Sequence, residues 1–125
     1  MDEIQGCFVT SDENISISLI SYNDFLKLVR SDLHQLNISL PNGIEGEYYM
    51  YIQQDRQDPK IHYYNMRASI MAGQDVYSDV MLVQKDNNKK TLTEWRVFTN
   101  LKFPKLTQME EMQKAAQDVD KCLIQ

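Results

Sequence analysis

Two histidines, His34 and His62, are the side chains of this sequence best suited to acid-base work near neutral pH. Neither stands in a spacing that defines a metal site or a nucleophile-base pair. Cys7 lies far in sequence from both, and nothing around it suggests a thiol-imidazole couple. The acidic pairs Asp2-Glu3 and Glu110-Glu111 are explained by an exposed terminus and by the favourable charge of a helix's first turn. Gly6, Gly43, Gly46 and Gly73 are isolated, so no glycine-rich loop could cradle a phosphate. The expectation is no enzyme, no cofactor and no metal. His62 with its neighbouring tyrosines is the one acid-base cluster that could be put forward against it.

Aromatic and arginine residues form the stronger pattern. Six of the seven tyrosines and the sole tryptophan fall between Gly46 and Leu101. Read as strands, this stretch puts Tyr49, Tyr51, Tyr63 and Tyr77 on one sheet face, with Arg67 and Arg96 nearby. Tyrosine and arginine are enriched at interaction hot spots because they combine large, rigid contact area with directional hydrogen bonds. The expected function is therefore a protein-protein interaction module of adaptor, chaperone or inhibitor type, with those six residues at the contact. The bland reading is that the N-terminal strands pack over the rings. The alternative is a single-stranded nucleic-acid binder, in which the rings stack bases while Arg67, Arg96, Lys85 and Lys89-Lys90 hold phosphates.

The elements that must position these residues follow from periodicity. Ile4 to Val9 reads as a first strand, and Ile15, Ile17 and Leu19 alternate with serines in a second. Ser21 is a helix N-cap with Asp24 three residues on, and Ile20 and Phe25 sit at the staple positions. The apolar repeat Leu26, Val29, Leu33, Leu36 extends that helix over Tyr22 to Leu36. A connector with Pro41 and Asn42-Gly43 leads into four strands: one around Tyr48 to Gln53, a return at about Ile61 to Ala72 after the Asp58-Pro59 turn, then Val76 to Lys85 and Thr91 to Leu101. Thr107 and Glu110 form a capping box for a last helix, about Gln108 to Leu123, with a stripe of Met109, Met112, Ala116, Val119 and Leu123.

The expected fold is thus α+β: a mainly antiparallel sheet of about six strands in ββαββββα order, with two helices packed on one face. The element order resembles the profilin and longin arrangement with one strand to spare. That likeness rests on order alone and implies no function.

At 125 residues, with 42% hydrophobic and 25% charged side chains, the chain is expected to form one domain without disulfide or metal support. A net charge of −5 argues against nonspecific DNA binding, which depends on lysine and arginine displacing counterions. The start Met1-Asp2-Glu3 lacks the basic, apolar pattern of a signal peptide, and no apolar run could span a bilayer. A cytoplasmic or nuclear site without membrane contact is expected. Cys7 and Cys122 then read as reduced packing residues, and the sequons at Asn14 and Asn37 as chance matches. A terminal methionine-rich helix can be exchanged between protomers, so a homodimer stays open beside a monomer.

Overall fold

The computed structural model describes residues 3–103. It confirms the α+β class with a five-stranded, wholly antiparallel sheet of order β2-β1-β5-β4-β3. The strands are β1 (Glu3–Val9), β2 (Ile15–Ser21), β3 (Leu33–Asn37), β4 (Tyr48–Gln53) and β5 (Val80–Gln84). The helices among the described residues are α1 (Tyr22–Ser31), α2 (Met66–Ala72) and α3 (Leu92–Thr99).

The N-terminal elements form where local chemistry directs them. β1 and β2 close a hairpin around Thr10 to Asn14, in register from Glu3 opposite Ser21 to Val9 opposite Ile15. The Ser21 hydroxyl accepts from the Asp24 N–H at 3.2 Å and starts α1, and Ile20 and Phe25 lie in one apolar cluster. α1 stops earlier than its apolar repeat suggests. The Asp32 N–H caps Leu28, and the chain then pairs with β4, Leu33 opposite Gln53. Those leucines serve a strand, because Leu33 and Leu36, three apart, fall on opposite sheet faces and each meets its own apolar cluster.

Two of the six expected strands are helices, and β3 is a strand where helix was expected. Asn65 caps α2 by accepting the Ala68 N–H at 3.0 Å, and Gly73 ends it at φ +69°, a left-handed conformation glycine adopts without strain. Over so short a run, Ala68, Met71 and Ala72 satisfy a helical stripe as well as a strand alternation. α3 begins with a reciprocal capping box, Thr91 with Glu94, and turns Trp95, Phe98 and Thr99 inward. The expected last helix, with its methionine stripe, lies outside the described residues, as does Cys122.

The helices do not share one face. α1 covers the side built from Tyr51, Met81, Val83, Phe8 and Phe25. α2 and α3 cover the other, where Ala68, Met71, Trp95 and Phe98 meet Cys7, Met50, Leu82 and Tyr48. Both parities of β4 and β5 are apolar, and strands of that kind need cover on both sides. Trp95, fully buried, donates from Nε1 to Gln5 Oε1 at 3.1 Å, and Phe98 stacks on Tyr48 with centroids 4.2 Å apart. No helix among the described residues is long and apolar enough to cross a membrane.

Candidate functional site

Between β4 and β5 the chain makes an excursion, residues 54–79, that begins with a short 3-10 turn (Gln54–Arg56) and contains α2. Three polar side chains sew it down. Gln57 grips the backbone of Tyr77 with both amide atoms, accepting from its N–H at 2.8 Å and donating to its carbonyl at 2.9 Å. Asn65, fully buried, donates to the carbonyls of Val9 at 3.0 Å and Ser78 at 2.8 Å while capping α2. Ser69 donates to the Asn65 carbonyl at 2.7 Å and accepts the Val76 N–H at 2.8 Å. Backbone bonds from Ser78 to Tyr63 and from Asn65 to Val76 complete a short ladder.

This pinned segment raises an apolar ridge. Ile61 is 72% exposed, Tyr63 82%, Tyr64 43% and Met66 52%, with buried Asn65 between them. The Tyr64 ring rests edge-on against Tyr77 at 5.4 Å and its hydroxyl donates to Asp75 at 3.4 Å, so its orientation is held although the residue is exposed. Asp58 sets the approach to the ridge, its carbonyl accepting the N–H groups of Ile61 and His62 and its carboxylate that of Lys60.

The ridge stands over the β1–β2 turn. Tyr63 and Tyr64 form one wall of a groove of about 760 Å³ whose remaining lining is Thr10, Ser11, Asp12 and Asp79. Asp79 is held by the Ser11 N–H at 3.1 Å. Hydrogen bonds from the Thr10 hydroxyl, from its own backbone and from Asn14 keep the Asp12 carboxyl below its usual range. On the other side of the same turn, Arg67 and Arg96 line a polar pocket of about 250 Å³ with Glu13, Asn14 and Asn100.

The six residues singled out from the sequence therefore do not share one surface. Tyr51, 6% exposed, is core: its ring meets Phe25 edge-on at 5.3 Å and its hydroxyl donates to Gln35 at 3.3 Å. Burial pushes its phenol above the usual range. Tyr49 lies half-buried on the same face, donating to Glu47 at 2.9 Å, and Lys85 joins that carboxylate at 3.2 Å. These contacts lower the Glu47 carboxyl and raise the Tyr49 phenol. Tyr63 and Tyr77 belong to the excursion, and Arg67 and Arg96 to α2 and α3. The expected open aromatic sheet face is absent because α1 occupies it. Tyr63 shares one pocket with residues of the β1–β2 turn, Arg67 and Arg96 share another, and Tyr77 packs against Tyr64.

The phosphate-contact set of the nucleic-acid alternative is divided. Lys85 pairs with Glu47 and Lys89 with Glu3, at the end of the sheet opposite Arg67 and Arg96. His34 sits on β3, the outermost strand, and His62 beside the ridge, so the two histidines do not meet. Among the described residues no group of three or more histidine, cysteine and acidic side chains is placed to hold a metal.

Sequence reasoning overlooked Ile61, Tyr64, Met66, Asp12 and Asp79. Asn65 followed three residues later by Ala68, with Gly73 beyond, was the available signal: a capped helix there leaves Tyr63 and Tyr64 in the loop before it. No family model, no curated protein and no solved structure matches this chain.

Proposed function

We propose that the chain is a non-enzymatic protein-binding module whose contact surface is the ridge from Ile61 to Met66, with Tyr63 at its centre. One observation carries this reading: large apolar side chains stand far out in solvent on a segment tied down by buried Asn65. A pinned backbone loses little conformational freedom on docking, so exposed rings on it are worth more in binding than the same rings on a free loop. Ile61 and Tyr63 also contribute to neither apolar core cluster.

The test is a double variant, Ile61→Ser with Tyr63→Ser, compared with wild type and with Tyr51→Ser in capture of a binding partner and in thermal melting. The double variant should melt within about 2 °C of wild type, because surface changes away from packed features move stability by roughly 0.5 kcal/mol or less. Its affinity should fall by about 30-fold or more, the loss of one hot-spot side chain. Tyr51→Ser should instead cost about 3 kcal/mol of stability through a core cavity. Undiminished partner capture by a folded double variant would rule the ridge out.

A further inference from the structure

We propose that the groove beside the ridge receives a basic side chain, arginine or lysine, of the partner protein. This rests on the protein-binding reading above and names the chemistry of what is bound. Two kinds of wall meet in the groove. Tyr63 and Tyr64 offer aromatic faces, and Tyr64 is held in place by Tyr77. Asp12 and Asp79 bring two carboxylates to the lining of the same groove. A ring face carries negative electrostatic potential, so rings and carboxylates attract the same guest, a cation with an apolar stem. An arginine or lysine matches both, laying its methylenes on the ring and its charge toward the aspartates.

The protein does not supply that cation from its described residues. The ion pairs among them, Lys85 with Glu47 and Lys89 with Glu3, lie at the far end of the sheet. Asp79 accepts the Ser11 N–H, Asp12 accepts from Thr10, Asn14 and its own backbone, and both aspartates remain exposed to solvent. Hydrogen bonding that holds Asp12 ionised also holds it in place. The overall charge of −5 favours encounter with a basic segment.

The guest is tested without the partner by titrating the isotope-labelled full chain with N-acetyl-argininamide. The control is the neutral isostere N-acetyl-citrullinamide, with backbone amide shifts read for both. Saturable shifts at residues 10–12, 63, 64 and 79 in about the millimolar range are expected with the arginine compound. Affinity should weaken about five- to ten-fold with the citrulline compound, with Asp79→Asn and with Tyr63→Ala. Equal response to both compounds, shifts confined to other surfaces, or no saturation would overturn the assignment. Absent arginine binding, with partner capture still lost in the Ile61/Tyr63 double variant, removes the groove inference and leaves the ridge standing. Arginine binding with capture unaffected in that variant removes the ridge, and with it the claim that the guest belongs to a partner.

Discussion

Buried and half-buried amide side chains act in this protein as substitutes for backbone pairing. Gln5 binds both the N–H and the carbonyl of Lys90, at 2.8 and 2.7 Å, and Gln57 does the same to Tyr77. Asn65 goes further, tying β1, the approach to β5 and the first turn of α2 through one side chain with no exposure. Removing a buried partner leaves carbonyls unpaired away from water, which costs more than the hydrogen bonds themselves are worth. Asn65→Ala should therefore lower stability by about 2–4 kcal/mol, combining a lost cap with two orphaned acceptors. Urea unfolding measures it, and a loss under 1 kcal/mol would mean that water replaces the amide. Only the cap could be read from the sequence; the bonds to Val9 and Ser78 join residues distant in the chain, and Asn65 sits in a run that also fits an alternating strand.

At the level of elements, capping decided what periodicity left open. The stretch from Thr91 to Leu101 alternates well enough for a strand, yet Thr91 and Glu94 form a capping box and Trp95, Phe98 and Thr99 lie on one helical face. The box was legible in the sequence. It loses to alternation only if a strand partner is assumed, and the sheet has none to offer beside β5 once β1 takes that edge. Thr91→Ala should destabilise the protein by about 1 kcal/mol, the usual worth of an N-cap side chain, with Thr91→Ser restoring most of it. Equilibrium unfolding of the two variants checks this, and equal loss in both would assign the effect to the Thr91 methyl group. On the opposite face of the sheet Ser21 does the same for α1, and there sequence and structure agree at once.

The described residues build a sheet covered on both sides, and Cys7 reports on that burial. It sits on β1, second in the sheet beside edge strand β2, within the core beneath α2 and α3, with no exposed surface. Burial pushes its thiol from the ordinary 9.0 up to about 12. In the unfolded chain the thiol ionises first as pH rises, so the folded state then holds the extra proton and stability falls with pH. The contribution is intact below pH 9 and is lost between there and about 12. Relative to Cys7→Ala, wild type should lose up to about 1.4 kcal/mol per pH unit across that window. Denaturant unfolding from pH 8 to 10.5 measures the difference, and a flat one would mean the thiol is reached by water. The same double cover explains why Tyr51 is core and why the exposed aromatics had to appear elsewhere, on the excursion between β4 and β5.

By itself the sequence determined the features that depend on neighbours in the chain: the α+β class, the β1–β2 hairpin, the start of α1, and the strands at 48–53 and 80–84. Each is set by a turn, a cap or an apolar run that local sterics and hydrogen bonding read directly. Only the tertiary structure decided whether 66–72 and 92–99 were strand or helix, where α1 stopped, and which tyrosines faced water. Short segments satisfy both periods, and the choice falls to whichever partner buries them. Exposure belongs to a ring's surroundings, so Tyr51 and Tyr63, alike in the sequence, part company once α1 covers one of them and nothing among the described residues covers the other.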